Sequence, residues 1–132
     1  MEVLSVDWVI LVDDDEIHNF IHQKVLAKFL KEDTIQVAFN GEQAFLFLNS
    51  KIQEGLNNQK GLIFLDINMP VMNGFEFITE FQKKYTELFP NTKILPLTSS
   101  DHIDDISQMN RLGIEGYLIK PLTFELAGEL LK

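Results

Sequence analysis

Aspartates dominate the residues of this chain that could do chemistry. Asp13, Asp14 and Asp15 stand together and are followed by Glu16, while a fourth aspartate, Asp66, directly follows an apolar run. Thr98, Ser99 and Ser100 follow another such run, and Lys120 and Pro121 a third. Asp66 to Thr98 is 32 residues and Thr98 to Lys120 is 22, about one strand-plus-helix unit each. Carboxylates gathered in a partly buried crevice repel one another, on the order of 4 kcal/mol for two unit charges about 4 Å apart at an effective dielectric near 20. Protonation, a neighbouring cation or a metal relieves that repulsion. Hard oxygen donors favour Mg2+, which binds through one or two carboxylates, waters and phosphate oxygens. A metal, a carboxylate nucleophile, a hydroxyl and a lysine together suit phosphoryl transfer, where the work is positioning and neutralising charge.

These residues need elements that deliver them to one place. Short apolar runs at Trp8 to Val12, Ile35 to Phe39, Leu62 to Leu65, Ile94 to Leu97 and Gly116 to Ile119 read as buried strands. Parallel strands covered on both faces show such continuous runs rather than alternation. Helical spacing fills the intervals: Ile17, Phe20, Ile21, Val25 and Phe29; Ala44, Phe45, Leu48 and Ile52; Phe75, Ile78 and Phe81; Ile103, Ile106, Met109 and Leu112. A short last helix runs from Thr123, its expected N-cap, with Phe124, Ala127 and Leu130 on one side. Five strands alternating with five helices predict an α/β fold, a parallel sheet with helices on both faces. In such a sheet, sites form at the carboxyl ends of the strands. Four of the five strand ends supply polar or charged groups to that rim; the second, ending in Phe39, Asn40 and Gly41, supplies no ionisable one.

The 132 residues fit one domain, and the short last helix leaves open whether 1–132 is a trimmed chain. Without cysteine, neither a disulfide framework nor a thiolate zinc site is possible. Eleven basic against twenty acidic side chains give a net charge of −9, which argues against direct nucleic-acid binding and for protein partners. The opening MEVLSVDW lacks the basic region of a secretory signal, and the apolar runs are too short to span a bilayer. The expected location is cytoplasmic.

The strand-end strings VILVDDDE (Val9 to Glu16), LDINMPVMNG (Leu65 to Gly74), ILPLTSS (Ile94 to Ser100) and GYLIKP (Gly116 to Pro121) resemble, in order, the motifs of the receiver domains of two-component response regulators. The resemblance covers nearly the whole chain. It implies a flavodoxin-like sheet of strand order 2-1-3-4-5 and a phosphorelay role, with Asp66 accepting a phosphoryl group from a histidine kinase or phosphotransfer protein. Asp13 and Asp14 would hold Mg2+ or Mn2+, with Asp66 and the main-chain carbonyl of Asn68. Thr98 and Lys120 would each meet a phosphoryl oxygen, Tyr117 would be the aromatic switch partner of Thr98, and the Lys120–Pro121 bond would be cis. Ser99 stands where such domains often carry alanine or glycine; Asn68 and Ser100 occupy positions that tune phosphoryl lifetime. A separate output protein, or an output domain missing from this chain, would read a surface on the fourth helix, fifth strand and fifth helix.

Plainer readings compete at several positions. Asp15 and Glu16 are taken as acids of a helix N-terminus. Pro70 and Gly74 are taken to shape the loop after Asp66. Tyr117 is either a switch or an ordinary half-buried aromatic. His18 and His22 have metal-pair spacing but no evident third ligand, so they are read as surface or boundary residues, and His102 is given no role. Phe75 and Phe81 are read as core. Two other functions remain: an aspartyl-phosphate phosphohydrolase whose nucleophile is Asp13 in the Asp13–Asp15 pair, and a docking module that is never phosphorylated.

Overall fold

The computed structural model describes residues 4–69, 71–98, 103–114 and 116–131, with the side chain of Ile103 left aside. Pro70, Ser99, Ser100 and His102 therefore lie outside the described residues. The chain runs β1 (Trp8–Val12), α1 (Glu16–Leu26), a 3-10 turn (Glu32–Thr34), β2 (Ile35–Ala38), α2 (Gly41–Gln53), β3 (Gly61–Asp66), α3 (Gly74–Lys84), β4 (Thr92–Thr98), α4 (Ile103–Arg111), β5 (Leu118–Ile119) and α5 (Phe124–Leu130). Among the described residues the strands form one parallel sheet of order β2-β1-β3-β4-β5, as the resemblance implies.

Every residue of β1 and β3 is buried, which explains their unbroken apolar runs. Successive side chains go to opposite faces. Trp8, Ile10, Val12, Ile63 and Leu65 meet Ala44 and Leu48 of α2 and Phe77, Ile78 and Phe81 of α3. Val9, Leu11, Leu62, Phe64, Leu95 and Leu97 meet Leu26 of α1 and Ala127 and Leu130 of α5. Phe75 and Phe81 are core residues, as expected. Side-chain caps start the helices. Asn40 accepts from the Gln43 amide, Asn73 and Glu76 form a reciprocal capping box, and Thr123 accepts from the Leu126 amide.

Two expectations about elements need correction. The fifth strand was expected from Gly116 but comprises only Leu118 and Ile119, paired with Leu97 and Thr98. Pro96 supplies the reason. The Ile67 amide donates to the Leu97 carbonyl on the β3 side, whereas the Lys120 amide donates to the Thr98 carbonyl on the β5 side. Alternation turns Pro96 toward β5 as well, where proline has no N–H to donate, so the ladder begins above it.

The second correction concerns α1. Its apolar residues Ile17, Phe20 and Ile21 are exposed, and its buried face carries Asn19, His22 and Leu26. Asn19 Nδ2 donates to the Asp13 carbonyl at 2.8 Å, and His22 Nε2 accepts from the Leu122 amide at 3.2 Å. Loop backbone groups beneath α1 need partners, and an apolar face would leave them unpaired. His22, 2% exposed, is thus an interior residue and not a surface one.

Gly74 opens α3 against the end of β3. A Cβ there would sit 2.7 Å from Ile67 Cα and 2.9 Å from the Asp66 carbonyl oxygen. Backbone atoms cannot swing aside, so Gly74→Ala is expected to cost about 1–3 kcal/mol in a urea melt. Relief requires a shift of the backbone at Asp66 and Ile67 or at the start of α3.

Candidate functional site

The carboxyl ends of β1, β3 and β5 converge. The β1–β3 register pairs Val12 with Leu65, so Asp13 and Asp66 emerge side by side, and both are buried. Asp14 next to them is exposed. One carboxylate oxygen from each of Asp13, Asp14 and Asp66 lies within 4.8 Å of the others, making three hard oxygen donors within reach of a single ion.

Lys120 enters from the end of β5, with its side chain only 10% exposed. Its ammonium donates to Asp13 Oδ2 at 2.7 Å and lies 3.3 Å from Asp66 Oδ1. The Lys120–Pro121 peptide is cis, as expected. Backbone amides complete the cage: Asp15 donates to Asp13 Oδ1 at 2.9 Å and Asn68 to Asp66 Oδ1 at 3.2 Å. Thr98 ends β4 fully buried, in the strand beside Asp66. Tyr117 is half-buried and packs against the small cluster of Ile67, Phe75 and Met109.

Electrostatics single out Asp66. Burial, then the charge of Asp13, push its pKa up to about 6, and Lys120 with the Asn68 amide offsets only part of this. Ionised at neutral pH, it is a buried carboxylate short of positive charge, which is the condition a divalent cation relieves. The donor set therefore fits Mg2+ or Mn2+. Asp15 serves differently: its carboxylate caps α1, accepting from the amides of His18 and Ile17, which hold its pKa below the ordinary range.

The acidic trio, the lysine and the hydroxyl occupy the strand ends in the places their motifs required. The response regulator receiver domain model matches residues 9–131. The chain belongs to that family. Receiver domains are signalling switches of two-component systems, and the sheet order and cis proline of this receiver agree. LuxN, an autoinducer 1 sensor kinase/phosphatase of Vibrio campbellii, is 33% identical over 87% of this chain and 12% of its own length. The nitrate/nitrite response regulator NarL of Escherichia coli is 28% identical over 86% of this chain and 48% of its own. The receiver thus spans less than half of either relative. A two-component response regulator from Cytophaga hutchinsonii superposes with a TM-score of 0.80 at 28% identity, covering 95% of this chain and 93% of that one. Among the described residues, no helix is long and apolar enough to cross a membrane.

Two residues of the site escaped the sequence reading. His18 Nδ1 lies 3.2 Å from Lys120 Nζ and 3.6 Å from Asp13 Oδ2, and His22 holds the loop after Lys120. For His22 the available signal was the Asn19, His22, Leu26 spacing on α1, masked by the more apolar Ile17, Phe20 and Ile21 one step around the helix.

Proposed function

We propose that this receiver accepts a phosphoryl group on Asp66 from a phosphohistidine of a histidine kinase or phosphotransfer protein and passes the change to a partner-binding surface. The observation that carries the reading is Asp66 itself, buried, hydrogen-bonded to Asn68 N–H and flanked by Asp13 and Lys120. An Asp66 carboxylate oxygen attacks phosphorus, the P–N bond of the donor breaks, and its electron pair returns to the imidazole, which takes a proton from solvent. The product is an acyl phosphate on Asp66.

Asp13, Asp14, Asp66 and the Asn68 main-chain carbonyl would hold Mg2+ or Mn2+, which when bound neutralises charge on the phosphoryl oxygens. Lys120 supplies a second positive charge at the same place, and Thr98 a hydroxyl that bonds a phosphoryl oxygen. The added charge draws Thr98 and Lys120 toward the phosphoryl group, and Tyr117 follows Thr98 inward. This biases the surface of α4, β5 and α5, which a separate output protein or a further domain reads. Chemistry beyond the protein's own phosphorylation and dephosphorylation is not part of the role.

The rival nucleophile, Asp13, is disfavoured because Lys120 and the Asp15 amide both occupy its oxygens, while Asp15 is committed to capping α1. A docking module that is never phosphorylated would have no need for the complete set of acids, threonine and lysine. Intact-mass measurement after incubation with acetyl phosphate and Mg2+ separates the three. One phosphoryl group is expected, lost with EDTA and in Asp66→Ala. An adduct that survives Asp66→Ala but vanishes in Asp13→Ala would favour the phosphohydrolase, and none in the wild type with an active donor would favour docking.

A further inference from the structure

The two α1 histidines, four residues apart, both reach the segment that carries Lys120. Lys120 Nζ lies 3.2 Å from His18 Nδ1, and the Leu122 amide donates to His22 Nε2 at 3.2 Å. One turn of one helix therefore grips this segment at two points, on either side of Pro121. The rings lie 6.3 Å apart at their centroids.

An ammonium has three protons to place and no rigid geometry of its own, so its surroundings must aim it. Here Lys120 has three polar partners in reach: Asp13 Oδ2 at 2.7 Å, His18 Nδ1 at 3.2 Å, which accepts in the tautomer that carries its proton on Nε2, and Asp66 Oδ1 at 3.3 Å. Two are carboxylates that the metal and the phosphoryl group would engage. His18 is the acceptor that stays available when they do. A neutral ring also holds the ammonium without cancelling its charge, as a carboxylate would. Accepting at Nδ1 places the ring proton on Nε2, the side that faces Asp15 Oδ2 at 3.8 Å.

We infer that His18 is a positioning residue for Lys120, keeping the ammonium on the phosphoryl site while the carboxylates are engaged, with His22 anchoring the backbone just beyond. The inference rests on the phosphoacceptor reading of Asp66 and adds a residue to it. His18 is 45% exposed in its side chain, so it can be replaced with little burden on the fold.

The test is the rate of phosphoryl uptake from acetyl phosphate, followed by intact mass, with Mg2+ titrated to saturation for each protein. Wild type is compared with His18→Leu, His18→Asn, Lys120→Ala and the His18→Leu/Lys120→Ala double variant. Leucine keeps bulk but accepts nothing, whereas asparagine offers an oxygen near the position of Nδ1. His18→Leu is expected to slow uptake about tenfold, the scale of one charge-assisted hydrogen bond, and His18→Asn to recover most of it. The double variant should be no slower than Lys120→Ala, since His18 acts only through that amine. Wild-type rates in His18→Leu, or a loss that multiplies in the Lys120→Ala background, would overturn the inference and leave Asp66 as phosphoacceptor. No uptake by the wild type would instead remove the phosphoacceptor reading, and this inference with it.

Discussion

Asp66→Asn is expected to abolish phosphoryl uptake and, in metal-free buffer at neutral pH, to make the protein more stable by up to about 3 kcal/mol. Both effects have one origin. Asp66 is buried beside Asp13, and its pKa rises from 3.8 to about 6, so holding it ionised above pH 6 costs folding free energy. An amide of the same shape carries no charge to desolvate or to repel Asp13. Between about pH 3.8 and 6 the folded chain binds more protons at this position than the unfolded chain, so its contribution to stability falls as pH rises. The advantage of the variant should vanish below pH 3.8, grow through that window and level off above pH 6. Mg2+ should narrow it, because an ion that binds the native carboxylates stabilises the wild type by mass action. Urea melts of both proteins from pH 3.5 to 7.5, with and without Mg2+, check this. A variant less stable than wild type at pH 7 without metal would mean that Lys120 already compensates Asp66 in full.

His22 should act in the opposite sense over nearly the same pH range. Burial is the main cause, followed by the charge of Lys120, and together they push its pKa from 6.5 down to about 4, so the folded ring is neutral and free to accept from Leu122 N–H. The unfolded chain takes up the proton first. Stability from this group is fully present above pH 6.5 and falls by about 3 kcal/mol as pH drops through 4. From pH 4 to 6 the Asp66 and His22 slopes offset each other in the wild type. Asp66→Asn should expose the acid sensitivity of His22 as a steep loss of stability below pH 6.5. His22→Gln, whose side-chain oxygen can still accept from Leu122 N–H, should leave the Asp66 slope alone, with stability declining as pH rises from 4 to 6. Equal profiles for wild type and His22→Gln would show that His22 is not held neutral by the fold.

The balance between these groups marks where sequence reading stopped. The apolar runs of β1 and β3, the helix cap at Thr123, the place of Asp15 at a helix N-terminus, and the order of the strand-end motifs were legible because each depends on neighbours in sequence or on a fixed period. So was the convergence of Asp13, Asp66 and Lys120, since a parallel sheet sends the ends of successive strands to one rim. The length of β5 was not legible, because it depends on which side of β4 the missing Pro96 amide faces. Nor was the inner face of α1. Hydrophobic spacing pointed to Ile17, Phe20 and Ile21, yet those are exposed, and Asn19 and His22 lie inside. Burial there follows the carbonyl of Asp13 and the amide of Leu122, which bond Asn19 and His22 across 6 and 100 residues. Residue types and spacing were enough to say which family this chain belongs to. Which side chains aim it was decided only when distant loops brought backbone polar groups under α1 that water could no longer satisfy.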